Sequence, residues 1–301
     1  MARAARQLEL KGVIASAITP RRDNIQDPDF SGLLDLLDFL AAGGVKGICL
    51  FGATGEFLNY SFAERQRLVY LGVKRSRVPI LVDASHSTFE GAVQIADEAI
   101  AAGADGLMLM PPYFFPYGQR EIEEFYAQFA KEVGDAVPLL IHNFPEVTSR
   151  IEMGVMRRLI GTGRFAGIND SSGDPALLEQ LLELRRERPF ALFAGDDRTA
   201  ARALRAGADG VISGAACALP ELMTALAKSP TEELNARVLE FVAWAERFPF
   251  PTAIKRAVKL RGQHSAPALT PLAEESRAAL EEFSKWFAAW LPHAKKAAAN
   301  G

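Results

Sequence analysis

The sequence predicts an α/β fold and, within that class, a closed (β/α)8 barrel followed by a C-terminal helical extension. Three observations lead to this prediction: eight short apolar runs typical of buried strands, amphipathic stretches between them, and a spacing of about 30 residues per unit. Parallel strands need a crossover helix, so this alternation favours a parallel sheet. A doubly wound open sheet is the structural alternative.

One strand unit recurs three times in recognisable form. The copies read AAGGVKGICLFG from Ala41, AAGADGLMLMPP from Ala101 and RAGADGVISGAA from Arg205. Each is interpreted as a helix end, a turn and a buried strand. A glycine in each copy is expected to end the helix in a left-handed conformation: Gly44, Gly103 and Gly207.

The remaining elements follow in chain order from the same patterns. Apolar runs bounded by turn residues predict strands at Gly12–Pro20, Pro79–Ala84, Pro138–Pro145, Phe165–Ser172 and Phe190–Asp197. Amphipathic periodicity predicts helices at Ser61–Ser76, Thr88–Ala101, Gln119–Val133 and Pro175–Glu187, several opened by a Ser, Thr or Asp cap.

The length of 301 residues fits one barrel domain with an appendage. We expect the barrel in residues 1–228. Residues 229–301 are expected to add about three helices, broken at Phe248–Pro251 and Gly262–Pro267, as an extension of the same domain.

Composition excludes several classes of protein. The formal net charge of −3 offers no basic excess for binding nucleic acid. Apolar runs such as Gly106–Pro112 are too short to cross a membrane, and the start MARAARQLEL lacks a signal-peptide pattern, so we expect a cytoplasmic protein. Cys49 and Cys217, both in apolar strand-like segments, are interpreted as core residues rather than disulfide or zinc ligands.

Chemistry in a (β/α)8 barrel is placed at the carboxyl ends of the strands. The residues that follow the predicted strands are therefore the site candidates: Thr19, Pro20, Gly52–Glu56, Ser85, His86, Tyr113, Phe114, His142, Asn143, Asn169, Asp170, Asp196, Asp197 and Ser213. The small residues of the Gly52–Glu56 turn could leave backbone N–H groups free to meet a carboxylate, although such a turn is also common as pure structure.

At this point the chain resembles the dihydrodipicolinate synthase and N-acetylneuraminate lyase family of pyruvate-handling aldolases over nearly its whole length. The resemblance rests on the segments Ala17–Pro20, Phe51–Glu56, Ser61–Arg65, Pro111–Tyr113, Asn143–Pro145, Asp170–Asp174, Ala194–Asp197 and Gly210–Ser213. It implies an eight-stranded barrel with a C-terminal helical region, usually a homotetramer. It also implies chemistry on a 2-oxo acid held as a lysine Schiff base.

The sequence departs from this family where the chemistry would occur. The Schiff-base lysine is expected at the position of Asn169, whose amide nitrogen cannot form an imine. His142 replaces the acid/base tyrosine, and Phe114 replaces the second tyrosine of the proton relay. Ala53 stands for the first threonine of the turn, while Thr54 is retained. The arginine of the synthases aligns near Val147, which makes synthase activity an unfavourable interpretation.

These departures predict a lyase of aldolase or hydratase type that acts on a small 2-oxo or sugar acid without a Schiff base and without a cofactor. His142 would move a proton, and Asn169 would donate a hydrogen bond to a substrate oxygen. The residues expected to contact substrate are Ala53, Thr54, Gly55, Phe114 and Ile212. Beyond this small carboxylate and further copies of the chain, no partner is expected.

Two alternatives stay open. The protein could keep the barrel and its carboxylate cradle as a binding protein that has lost turnover. His86, His142 and Asp170 could instead supply ligands to a divalent metal, although the chain has no local two-histidine spacing and the favoured expectation is no metal. Asp196 and Asp197, which look like paired acids, are interpreted as helix N-terminal residues beside Arg198 and Thr199.

Overall fold

The computed structural model describes residues 8–22 and 27–301. Eight parallel strands close into a barrel in the order β1-β2-β3-β4-β5-β6-β7-β8, which confirms the predicted fold class. The strands are β1 (Gly12–Ser16), β2 (Gly47–Leu50), β3 (Ile80–Asp83), β4 (Gly106–Leu109), β5 (Leu139–Asn143), β6 (Phe165–Asp170), β7 (Ala191–Ala194) and β8 (Gly210–Ser213).

Helices follow the strands around the barrel. They are α1 (Phe30–Ala42), α2 (Phe62–Arg75), α3 (Phe89–Ala102), α4 (Gln119–Val133), α5 (Met153–Gly161), α6 (Pro175–Glu187), α7 (Ala200–Ala206), α8 (Ala215–Ala218) and α9 (Pro220–Lys228). The three helices expected near the C-terminus are α10 (Glu232–Ala245), α11 (Thr252–Leu260) and α12 (Glu274–Asn300).

Local sequence signals fix many helix ends. Ser61 begins α2 with a reciprocal capping box to Glu64, and Thr88 caps α3 through the N–H of Gly91. Gly103 and Gly207 end α3 and α7 with φ values of 91° and 105°, as predicted. Residues other than glycine rarely adopt such positive φ values.

The strands end earlier than the sequence predicts. The first run was expected to extend to Pro20, but β1 ends at Ser16, and Ala17 and Ile18 remain fully buried beyond it. The apolar pattern follows burial, which continues into the loops above the barrel after strand pairing has stopped. Cys217 is likewise fully buried but lies in α8 rather than in a strand.

Two hydrophobic clusters pack against the strands, one inside the barrel and one outside it. The barrel interior is filled by a small cluster that includes Ile14, Leu81, Met108, Leu140 and Phe193. The larger cluster lies between strands and helices and continues into the extension, where Phe241, Phe283 and Phe287 pack together. Within residues 8–22 and 27–301, no helix is both long and apolar enough to cross a bilayer.

Candidate active site

A cavity of about 350 Å³ opens at the carboxyl ends of the strands. Its floor comes from strand ends and the loops after them, and one wall comes from α10 and α11 of the extension. Its lining includes Ser16, Ala53, Thr54, His142, Val147, Asn169, Ser171, Gly195, Asp196, Asp197, Arg198, Ile212, Gly214, Phe241 and Ile254. Such a volume suits a small-molecule ligand.

His142 and Asn169 face this cavity because of strand parity. Side chains alternate across a strand, and Leu140, two residues before His142, belongs to the barrel interior. His142 pairs in register with Asn169 across β5 and β6. Both side chains line the cavity, and they are 4% and 2% exposed. The structure thus brings the two predicted catalytic residues together.

The His142 ring is held at both of its nitrogens. Nδ1 lies 3.2 Å from Oδ2 of Asp83, and Nε2 lies 3.2 Å from Oγ of Ser171. Asp83 is fully buried at the end of β3, two residues after the inward-facing Leu81. Its Oδ1 accepts a hydrogen bond from the Ser85 N–H at 3.0 Å and another from the Ser85 hydroxyl. The ring therefore has a fixed orientation.

Sequence reasoning did not select Asp83 or Ser171 as site residues. Asp83 lies within the predicted strand Pro79–Ala84, and Ser171 lies in the segment Asp170–Asp174 that carries the family resemblance. The available signal was a carboxylate in an otherwise apolar strand, since a buried charge needs a partner. That signal identifies Asp83, but it does not identify the partner on β5.

The Asn169 amide is a buried group whose hydrogen-bonding capacity is not fully used. Within the part of the chain that the structure describes, its Oδ1 has no hydrogen-bond partner. A Cβ built on Gly195 would lie 2.9 Å from this oxygen and 3.0 Å from the amide nitrogen. It would also lie 2.0 Å from Oγ of Ser171. The missing side chain at Gly195 therefore leaves room for both polar groups.

The turn after β2 places Thr54 in the cavity wall. Ala53–Gly55 form a single 3-10 turn, and Ala53 and Thr54 line the cavity. Gly55 does not: a Cβ there would face the Ala17 carbonyl at 3.1 Å, away from the cavity. The first N–H groups of such a turn have no acceptor within it, which is compatible with a carboxylate ligand.

Glu56, directly after this turn, belongs to a buried ion pair. Nζ of Lys255, on α11, is 2.8 Å from Oε2 of Glu56, and the lysine is 2% exposed. Burial lowers the pKa of Lys255 below its ordinary value, and the Glu56 carboxylate opposes that shift. Among the described residues that line the cavity, there is no lysine.

Phe114 lies outside the cavity within a single chain, contrary to the expectation for a substrate-contacting residue. Its backbone has a φ of 85°, its ring is 86% exposed, and it packs edge-on against Phe115 at 4.9 Å. The left-handed backbone turns the side chain toward solvent. Ile212, at the inner face of β8, does line the cavity.

Asp196 and Asp197 have different environments. Asp196 accepts from the Arg198 guanidinium at 2.9 Å and from its N–H at 2.9 Å, so it belongs to the turn before α7 as predicted. Both residues line the cavity, but Asp197 accepts from the N–H of Ala215 at 2.8 Å. Desolvation raises the pKa of the Asp197 carboxyl to about 6, against the lowering effect of its hydrogen bonds with Ser213 and Ala215.

His86, His142 and Asp170, the alternative metal ligands, bond to different groups and do not form one site. Among residues 8–22 and 27–301, no three His, Cys, Asp or Glu side chains come together as a metal site. His86 bonds through Nδ1 to the Thr88 hydroxyl at 3.0 Å and packs on Phe62. Asp170 accepts from Nδ2 of Asn143 at 2.7 Å, away from His142.

Comparisons with known proteins place the chain among enzymes of one family. The model of the dihydrodipicolinate synthetase family matches residues 9–289. A 4-hydroxy-tetrahydrodipicolinate synthase of Methanoculleus marisnigri is 29% identical over 286 residues, which cover 91% of this chain and 97% of that protein. A probable 2-dehydro-3-deoxy-D-pentonate aldolase of Escherichia coli K12 is 28% identical over 267 residues, which cover 83% and 88%.

Solved structures show the same fold. A prophage protein of the dihydrodipicolinic acid synthase family from Escherichia coli K12, in complex with pyruvate, superposes with a TM-score of 0.84. The two chains are 24% identical, and the match covers 92% of this chain and 98% of that one. At this identity, the likeness concerns the fold.

Proposed function

The chain belongs to the dihydrodipicolinate synthetase family, and from that premise we propose that it is a lyase that acts on a small 2-oxo acid or sugar acid without forming a lysine Schiff base. The reaction is of aldolase or hydratase type. His142 is the general acid/base, and Asn169 donates a hydrogen bond to a substrate oxygen. Ala53, Thr54 and Ile212 contact the substrate, and the N–H groups of Ala53 and Thr54 receive its carboxylate.

One observation carries this proposal. The position where the family resemblance implies the lysine holds an amide, and that amide lies in the cavity, 2% exposed, with its oxygen unpartnered among the described residues. Leaving a buried polar atom without a partner costs about 1–3 kcal/mol. A substrate hydroxyl that donates to Oδ1 of Asn169 would remove this cost, while the amide N–H donates to another substrate oxygen.

The geometry supports a proton transfer at His142. Asp83 fixes the ring from one side, so the other nitrogen is directed toward the cavity beside Asn169. In an aldol cleavage, the imidazole would take the proton of the substrate hydroxyl as the carbon–carbon bond breaks. The bonding electrons would move to the 2-oxo oxygen, where the Asn169 N–H would stabilise the developing enolate.

The substrate is proposed to differ from that of the synthases. Val147, the position near which the synthase arginine aligns, is an apolar residue of the cavity wall and is 49% exposed. Arg150, three residues after Val147 in the sequence, forms an ion pair with Asp174 at 2.7 Å. The cation of the described cavity wall is Arg198, and it is engaged by Asp196 at 2.9 Å. Among the described lining residues, no Lys or Arg without an acidic partner is therefore available for a second carboxylate on the substrate.

A binding protein without turnover is the second candidate. It is favoured by the fact that both nitrogens of His142 already have partners within the protein, as expected of a polar cluster that is structurally satisfied. Both candidates predict that small carboxylates bind and stabilise the fold.

Turnover separates the two candidates. A panel of 2-oxo acids and sugar acids would be screened for stabilisation on heating and then for product by mass spectrometry. We expect a product whose rate falls by a factor of about 100 or more in His142→Ala, the usual size of a general acid/base contribution. His293→Ala, an exposed histidine on α12, is the matched control. Stabilisation without product, across the panel, would favour the binding protein.

A further inference from the structure

Three buried polar side chains form a line that ends in the cavity. Oδ2 of Asp83 lies 3.2 Å from Nδ1 of His142, whose Nε2 lies 3.2 Å from Oγ of Ser171. Their exposed fractions are 0%, 4% and 7%, so water has little access to the chain of bonds. Ser171 and His142 both line the cavity.

The donor and acceptor capacities of these three groups determine which atom donates in each hydrogen bond. A carboxylate only accepts hydrogen bonds, so opposite Asp83 the hydrogen of the neutral imidazole lies on Nδ1. Nε2 then presents a lone pair, and the Ser171 hydroxyl donates to it. A hydroxyl in this position can lose its proton to the imidazole when it attacks an electrophile.

The Asn169 amide lies near the Ser171 hydroxyl. The Asn169 amide nitrogen and Ser171 Oγ lie 3.0 and 2.0 Å from the point that a Cβ on Gly195 would occupy. The amide oxygen has no partner among the described residues, so the protein itself does not fix this group fully. Its N–H is available to bond to a charge that develops beside Ser171.

We propose that Ser171 is a nucleophile, activated by His142 and oriented through the positioning residue Asp83, and that the cavity hydrolyses a carboxylic ester or lactone small enough to fit it. This activity goes beyond the lyase proposed above. Ser171 Oγ attacks the carbonyl carbon while its proton moves to Nε2 of His142. The ester C–O bond breaks, and the departing oxygen takes that proton. Water then attacks the acyl-serine, gives its proton to His142 and releases the acid, and the serine recovers a proton.

A fluorophosphonate probe tests the nucleophile directly. Ser171 Oγ would form a bond to phosphorus, fluoride would leave, and the hydroxyl proton would go to His142. The intact wild-type protein is expected to gain the mass of one probe less HF, and tandem mass spectrometry is expected to place the label on Ser171. His142→Ala and Asp83→Asn should slow labelling by a factor of about 100 or more.

The neighbouring Ser172 supplies the matched control. Its hydroxyl donates to Oδ2 of Asp170 at 2.9 Å and, within the described part of the chain, has no imidazole partner. Ser172→Ala should label at the wild-type rate, whereas Ser171→Ala should not label and should lose hydrolysis of p-nitrophenyl acetate. Thermal melting of each variant establishes that it is folded.

The proposal is overturned if the folded wild-type protein gains no probe mass, or if the label maps to a residue other than Ser171. Labelling at Ser171 that is undiminished in His142→Ala also contradicts it. These outcomes are independent of whether 2-oxo acids are turned over, so this proposal and the proposed lyase can fail separately.

Discussion

Gly195 sets how closely Ser171 and Asn169 can approach each other. In Gly195→Ala, the new Cβ would be placed 2.0 Å from Ser171 Oγ, so the hydroxyl must rotate away from His142. The positive-φ glycines do not include Gly195, so the backbone accepts alanine. We expect probe labelling and turnover to fall at least about tenfold, with a loss of unfolding free energy within about 1–3 kcal/mol, the range for overpacking.

A second glycine provides the comparison for this variant. A Cβ on Gly154 of α5 would meet Arg158 at 3.5 Å, an ordinary contact. Gly154→Ala should leave labelling unchanged. Equal losses in the two variants, measured by labelling rate and by urea unfolding, would show that Gly195 has no special relation to the site.

Asp197 is expected to make ligand binding depend on pH. The point that a Cβ on Gly214 would occupy lies 3.2 Å from Oγ1 of Thr54 and 3.9 Å from Oδ2 of Asp197, so a carboxylate at Thr54 would lie near Asp197. Because the pKa of Asp197 is raised to about 6, this group is mostly neutral at pH 5 and mostly ionised at pH 8.

The sign of this effect follows from like-charge repulsion. The affinity for a small carboxylate should weaken as pH rises through about 6, by on the order of tenfold. Asp197→Asn should bind with the affinity that wild type shows at low pH and should lose the dependence. Calorimetric titration with a carboxylate that binds gives the measurement, and a wild-type affinity that is flat from pH 5 to pH 8 would contradict it.

The sequence predicts some of the residue contacts in this site but not others. Asn169 and His142 could be predicted to meet, because two parallel strands of known parity bring their ends together. Asp83 could not be paired with His142, since β3 and β5 are not neighbours in the sheet and their contact depends on the radius of the closed barrel. Asp196 accepts from the nearby Arg198, whereas Asp197 accepts from the distant Ala215, and the sequence does not reveal this difference.

At the scale of elements, the extension is held by an aromatic cluster on α10 and α12. Phe283 is fully buried and packs against Phe241, Phe287 and Trp244, with ring centroids 5.7–6.3 Å apart. Because Phe241 also lines the cavity, this cluster supports one cavity wall.

Phe283→Ala should therefore lower the free energy of unfolding by about 3–5 kcal/mol, the usual cost of truncating a buried aromatic residue. Leu239→Ala, on the same extension but 38% exposed, should cost much less. Urea denaturation measures both. Similar small losses would mean that the extension contributes little to the stability of the barrel.

Helices were more predictable than strand ends. Gln119–Val133 and Pro175–Glu187 were predicted with the bounds that the structure shows, because amphipathic periodicity and end signals coincide there. The strands β1, β6 and β7 end two to four residues before their predicted limits. Ala17 and Ile18, beyond the end of β1, are still buried, so hydrophobicity alone does not mark where pairing stops.

At the scale of the whole molecule, barrel closure and the extension act together to form the site. The strands supply Asn169 and His142, the loops supply Thr54, Ser171 and Asp197, and α10 and α11 cover one side with Phe241 and Ile254. The homotetramer that the resemblance implies, and the assignment of residues 1–228 and 229–301 to one domain, remain predictions.

The central claim is that no amine of this protein captures a 2-oxo acid. Incubation with pyruvate and sodium borohydride, followed by the intact mass, tests it most directly. We predict an unchanged mass for the wild-type protein. Asn169→Lys, if folded, supplies a positive control, because it returns an amine to the cavity. A reduced pyruvate adduct on the wild-type chain, at Lys255 or any other lysine, would contradict the account.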